Sequence, residues 1–417
     1  MTTTLASFIG VGQRDRSRET YLATSYDFGG RTVAASVFFD ALLLSGHLRP
    51  DRAVLLGTRT STWAALLDRD LGGPARYCDL YQTLEERRET GGVDEAILAE
   101  LSSALTTIWG LPIACHAHDA ELDAASALPV LNSYCQALAG QEGGRIVVDI
   151  THGFRSMPVL LMAALQFLQA LTPQPAAIEI IYGEFRQEGP SPVRILDAVW
   201  QMGALAAAVE LFFAKFDGAP LAELLRPFWP QGAGAVCQFG EVVQTNFVTR
   251  LNEVLQRLDN ALKVFPTPAA PAWAAPVAAR LRDLHRDLTA SPELHRRIIR
   301  LAELLHERGL HGQAVVGLQL GLEAFLFHRY RESGYGDYET TKALWGRLLG
   351  EVRSRGQDGR TPSRDLREQL RSLRNTRNAI AHGGARSTDG GLPQTANLPQ
   401  QFRAFRACLA RLMNEQG

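Results

Sequence analysis

The overall charge of this chain points to no partner: across 417 residues, 43 lysines and arginines stand against 44 aspartates and glutamates. A global field for nucleic acid is therefore excluded, and any contact with it must be local. Cysteine is sparse and unpatterned. The five, at 78, 115, 135, 237 and 408, include no C-x-x-C pair, which excludes a disulfide framework and reads as reduced thiols. Cys115-His116-Ala117-His118 has no second cluster at zinc spacing, so no metal site is expected. No segment reaches the ~18 uninterrupted apolar residues of a membrane span, and no basic segment precedes the short apolar run at the amino terminus. A soluble, cytoplasmic protein without membrane contact is expected. There is no internal repeat.

Short apolar runs lie at residues 5–10, 53–57, 111–115, 146–150 and 177–182 and read as buried strands. Between them, apolar-periodic segments near 33–46, 61–69, 94–108, 122–139 and 157–171 read as helices. Strand and helix in turn predict an α/β Rossmann-like domain over residues 1–196, a mostly parallel sheet with helices on both faces. From Asp197 the strand signal disappears. The rest predicts an all-α helical connector over 197–285 and a helical bundle over 286–417, interrupted by a glycine-rich patch at 231–240 and a Pro/Ala-rich stretch, Pro266 to Pro276.

In open α/β sheets, ligands sit beyond the carboxyl ends of the strands, where loop amides and helix N-termini converge. Three loops there combine small residues, hydroxyls and arginine: Gly10-Val11-Gly12-Gln13-Arg14, Gly57-Thr58-Arg59-Thr60-Ser61 and Asp149-Ile150-Thr151-His152-Gly153-Phe154-Arg155. Such a surface suits phosphates and ribose. The third glycine of G-x-G-x-x-G would fall at position 15, which is Asp15, so a NAD-dependent dehydrogenase is disfavoured.

Near the carboxyl end the chain reads Leu373-Arg374-Asn375-Thr376-Arg377-Asn378-Ala379-Ile380-Ala381-His382-Gly383-Gly384. Thr361 is placed to cap a helix with Pro362 at its first position, and the two glycines stop it. Leu366, Leu370, Leu373 and Ile380 form one apolar stripe, and Arg377 falls on it. A charge in such a seam calls for a carboxylate partner, a dimer cleft or an anionic ligand. Metal-free RNA cleavage needs a group that moves protons and a fixed cation at the phosphate, which histidine and arginine supply. Five residues turn about 140° along an ideal helix, so Arg377 and His382 need a frayed last turn or a second subunit to act together. Residues 351–417 hold twelve arginines, no lysine and six acidic residues. Arg371 and Arg374, on the motif helix, are candidate RNA contacts. Residues 311–331 predict a long apolar helix packed on the motif helix, with Glu323 available to an arginine.

The string from Arg377 to Gly384, RNAIAHGG, resembles the R-N-x-x-x-H motif of HEPN-family ribonucleases. Asp149-Ile150-Thr151-His152-Gly153-Phe154-Arg155 resembles the D-x-T-H-G-F-R motif of CARF domains, the CRISPR-associated Rossmann folds. Tyr21 to Tyr26, Leu55 to Thr58 and Ser61 to Trp63 are similar to that family as well. Together the resemblances imply a CRISPR type III ancillary ribonuclease: a homodimer, with higher homo-oligomers open, whose CARF dyad binds cyclic oligoadenylate and whose composite HEPN site cuts RNA. They imply no cofactor, an activator that among relatives is most often cyclic tetra-adenylate, and catalytic roles for Arg377, Asn378 and His382. The three loops would hold the ring, with His152 either shaping its turn or serving the ligand. Two alternatives stand beside this: a non-enzymatic sensor whose HEPN module dimerises or binds RNA, and a CARF domain that degrades its own activator.

Overall fold

The computed structural model describes residues 2–11, 14–15, 20–68, 73–119, 123, 125–153, 156–333, 335, 337–357, 363–381 and 397–414. The chain divides into two compact units, Met1–Ala204 and Leu205–Gly417.

The first unit runs β1 (Thr3–Ile9), β2 (Arg14–Asp15), β3 (Thr20–Tyr21), β4 (Thr24–Asp27), β5 (Thr32–Ala35), α1 (Phe38–Ser45) and β6 (Arg52–Thr58). After a 3-10 turn at Trp63–Leu66 come α2 (Gly73–Thr90), α3 (Glu95–Trp109), β7 (Ile113–His118), α4 (Ala127–Leu138), β8 (Arg145–Asp149), α5 (Ser156–Leu171), β9 (Ala177–Gly183) and β10 (Ser191–Ile195). Eight strands form one sheet in the order β5-β4-β10-β9-β8-β1-β6-β7, while β2 and β3 pair separately. From β9 through β8, β1 and β6 to β7 every neighbour is parallel, as the sequence predicts. The far side is mixed: β10 runs antiparallel to β9, and β5 antiparallel to β4. The segment expected as helix from residue 33 therefore opens as strand β5, and the helix expected at 61–69 is only the 3-10 turn.

Alternation along β1 explains the layering. Leu5 and Ile9 enter one core with Phe38, Phe39 and Trp63, whereas Ala6 and Phe8 enter the other with Met157 and Leu161. Burying a side chain such as Phe8 contributes roughly 1.5–3 kcal/mol, so a one-residue slip of this central strand would forfeit several such terms at once.

The second unit has no strand among the described residues. Its helices are α6 (Asp197–Lys215, which starts in the first unit), α7 (Ala219–Leu225), α8 (Pro230–Thr245), α9 (Leu251–Lys263), α10 (Ala274–Leu288), α11 (Leu294–Glu307), α12 (His311–Tyr330), α13 (Tyr338–Gln357), α14 (Ser363–Ala381) and α15 (Leu398–Asn414). One apolar cluster runs from Ala208 to Leu412. The glycine-rich patch does not interrupt it. Helix α8 passes through residues 231–240 because a Cβ at Gly240 would lie 2.7 Å from the Phe216 carbonyl oxygen, so glycine permits a close helix packing there. Among the described residues, α6 is the helix long and apolar enough to cross a bilayer, and its Leu205, Ala208, Phe212 and Phe213 are buried. Helix α12 packs against α14 as expected, with Leu370 and Leu373 fully buried between helices. The capping and stop residues Thr361, Pro362, Gly383 and Gly384 lie outside the described residues.

Candidate functional site

Strand β1 lies between β6 on one side and β8 on the other, so the sheet's topological switch point opens beside its carboxyl end. Gly10 sits there. A Cβ at this position would fall 2.2 Å from the His152 carbonyl oxygen, so only glycine lets the loop after β1 meet the loop after β8. The Gly10 carbonyl accepts from Thr62 N at 2.9 Å and from Thr62 Oγ1 at 2.8 Å, which ties in the loop after β6. Gly57 and Gly153 pack against Trp63 and Phe8 respectively. Gly12, Gln13, Phe154 and Arg155 lie outside the described residues.

Most hydroxyls of these loops are already engaged. Ser61 Oγ donates to Ile9 O at 2.7 Å and accepts from Thr58 N at 2.9 Å, and the Thr58 hydroxyl lies 3.0 Å from it. Both side chains are buried and brace the floor of the crevice. Thr151 Oγ1 accepts from Gly183 N at 2.8 Å and so joins the β8 loop to β9. The exposed polar groups of the β6 loop are Arg59, whose Nε is 3.2 Å from Asp119 Oδ1, and Thr60.

Asp149 is fully buried below the crevice. Ser7 Oγ donates to its Oδ2, and Thr151 N donates to its Oδ1 at 2.8 Å. Burial pushes the carboxyl up to about 6, against the pull of the Ser7 and Thr151 hydrogen bonds. Ser7 went unnoticed in sequence, although a serine inside an otherwise apolar strand is the signal that could mark it.

His152 has a defined structural task. Its Nε2 accepts from Phe38 N at 3.1 Å at the start of α1, where Val37 offers no side-chain cap. The Tyr26 hydroxyl is 3.5 Å from the same nitrogen. Burial lowers the imidazole to about 4, so it serves as a neutral acceptor with its proton on Nδ1.

Helix α5 starts at Ser156, directly after the β8 loop, and carries no charged residue. Its outer stripe includes Val159, Phe167 and Leu171, 67%, 52% and 64% exposed.

In the second unit, Thr376 is buried and Arg377 half-buried on α14. Arg377 Nη1 donates to Asn378 Oδ1 at 3.0 Å, and its buried Nε has no partner among the described residues. Arg371 and Arg374 are exposed. His382 lies outside the described residues. Glu323 accepts from Gln319 Nε2 at 2.9 Å and, among the described residues, not from an arginine. No group of three metal-ligating side chains occurs among the described residues.

Residues 4–182 match the family model for the CRISPR system endoribonuclease Csx1, CARF domain. No curated protein matches the chain. Among solved structures, Enterococcus italicus Csm6 bound to cyclic hexa-2'-fluoro-hexa-dAMP is similar at 14% sequence identity, over 97% of this chain and 93% of that chain, with a TM-score of 0.29. A likeness at that score supports neither a shared fold nor a shared ligand.

Proposed function

We propose, for this CRISPR-associated protein with a CARF domain at its amino terminus, that cyclic oligoadenylate binds at the switch-point crevice and activates metal-independent cleavage of single-stranded RNA in the carboxyl-terminal unit. The protein would act in the cytoplasm, in type III CRISPR antiviral defence. Cyclic tetra-adenylate is the first ring to test. Residues 286–417 form the HEPN module in this reading, and 197–285 the connector. The crevice supports the first half. Its strands end in close-packed loops with an exposed arginine and threonine, and α5 begins at its edge, where N-terminal amides favour an anion.

The observation that carries the second half is Arg377. Its guanidinium is half-buried on an amphipathic helix, oriented by Asn378, with a buried Nε that has no partner among the described residues. An arginine so held, and unable to lose its proton, suits a phosphate that gains negative charge. His382 then moves the proton between the 2′-hydroxyl and the leaving oxygen, giving a 2′,3′-cyclic phosphate and a 5′-hydroxyl. Asn378 fixes the arginine. In the family that the motif resembles two copies form one composite site, and in this reading two subunits supply Arg377 and His382, which cannot share a face of one regular helix. The uncharged exposed stripe of α5 supports a homodimer, since an apolar face without charge fits its own copy.

The decisive experiment is cleavage of a fluorogenic RNA in EDTA with cyclic tri-, tetra- or hexa-adenylate. Wild type is compared with an Arg377→Ala/His382→Ala double variant. Cutting stimulated by one ring and absent in the variant is expected. A metal requirement, or equal cutting by the variant, would overturn the proposal.

A further inference from the structure

Two histidines outside the motif meet in the same helical unit. His306 lies in the last turn of α11 and His311 opens α12, with their Nδ1 atoms 3.0 Å apart and ring centroids 4.8 Å apart. The His306 ring lies flat on the buried Phe402 of α15, at 4.2 Å between centroids and 11° between planes. The residue after His311 faces the motif helix: a Cβ on Gly312 would lie 3.8 Å from Ile380 Cγ2. Ile380 is three residues after Arg377 and two before His382.

A hydrogen bond between two Nδ1 atoms needs one bare nitrogen and one N–H. A neutral pair meets that condition. A singly charged pair meets it too, because the donor ring carries its extra proton on Nε2. A second proton can enter only on the accepting Nδ1, which breaks the bond and sets two cations side by side. The surroundings resist that step. Burial, His311 and Arg403 on α15 lower the affinity of His306 for a proton, and Glu307 on α11 only partly offsets them. On α14, Arg377, one turn before Ile380, has the same sign as Arg403.

We propose that His306 and His311 are a positioning pair for the motif helix: their shared proton clamps the first turn of α12 to the end of α11, and Gly312 then sets where Ile380 and the end of α14 lie. The activity readout rests on the ribonuclease function proposed above; the structural readout does not.

The test is hydrogen exchange by mass spectrometry on the full chain, between about pH 5 and 7.5, corrected for intrinsic rates. In wild type, peptides from the start of α12 and the end of α14 should exchange about five- to tenfold faster on the acid side, the factor for one lost hydrogen bond. His311→Asn, whose amide can donate to His306 but does not titrate, should stay protected throughout. His311→Phe should exchange fast at every pH. RNA cleavage should follow: the Asn variant stays within about threefold of wild type near neutrality and lacks part of its acid-side fall, while the Phe variant is slow. Wild-type exchange that ignores pH, or a Phe variant protected like wild type, overturns the pair. If no protein cuts RNA but exchange follows the expected pattern, the ribonuclease reading fails and the positioning pair stands.

Discussion

The backbone N–H of Phe38 donates to Nε2 of His152, 114 residues further along the chain, so the loop after β8 caps the helix after β5. His152→Ala removes that acceptor and should destabilise the amino-terminal unit by about 1 kcal/mol. His152→Gln should recover part of the loss. Thermal unfolding followed by circular dichroism measures both, and an alanine variant as stable as wild type would contradict the capping role.

Asp149 and His152 should give opposite pH dependences. His152 titrates at about 4 in the folded chain against an ordinary 6.5, so the unfolded chain binds more protons between those values. Stability is therefore lost as pH falls from 6.5 toward 4, on the order of 3 kcal/mol in all. Asp149 titrates at about 6 against an ordinary 3.8, so the folded chain holds the extra proton and stability is lost as pH rises from 3.8 to 6. In wild type the two slopes offset. Asp149→Asn should therefore lose stability on acidification, and His152→Gln should gain it; parallel melting curves against pH for the three proteins would show the assignment to be wrong.

Gly10→Ala should damage the crevice more than the fold. The added Cβ must push β1 away from the His152 carbonyl, which it would otherwise approach to 2.2 Å. Calorimetric titration with cyclic tetra-adenylate should show affinity reduced by at least about tenfold, the effect of roughly 1.4 kcal/mol. Unchanged affinity would place the ring elsewhere.

Arg377→Lys keeps the charge but loses the planar fork that Asn378 holds. Cleavage should fall by about 10²–10³, and by about 10²–10⁴ in His382→Ala, with wild-type activity preserved in EDTA. Single-turnover rates with each variant decide this, together with end analysis for the 5′-hydroxyl.

Phe167→Glu places a charge in the exposed stripe of α5. Light scattering should find it monomeric at concentrations where wild type is a dimer, with an unchanged melting temperature. A dimeric variant would put the interface on another surface.

The parallel strands are legible in the sequence because each is a short apolar run bounded by glycine or polar residues, a signal that needs no tertiary partner. Strands β4, β5 and β10 carry no such signal. Thr24-Ser25-Tyr26-Asp27 is largely polar, and only its pairing with β5 and β10 makes it a strand. Helix α8 is hidden for the converse reason: its glycines read as breakers, while packing of Gly240 on Phe216 overrides their low propensity. At the crevice the sequence points to the loops but not to the direction of each hydroxyl. Ser61 turns to Ile9 O and Thr151 to Gly183 N, choices fixed by neighbours 52 and 32 residues away. The histidine pair has no motif spacing and emerges only where α11 turns into α12.

The absence of charge along α5 separates two kinds of association by ionic strength. If RNA is held as proposed, added salt would screen phosphate contacts from exposed arginines such as Arg371 and Arg374, and RNA affinity should fall steeply. An uncharged apolar seam loses nothing to screening and gains from salts excluded from its surface. A solution rich in sulfate would therefore favour assembled protein stripped of its RNA.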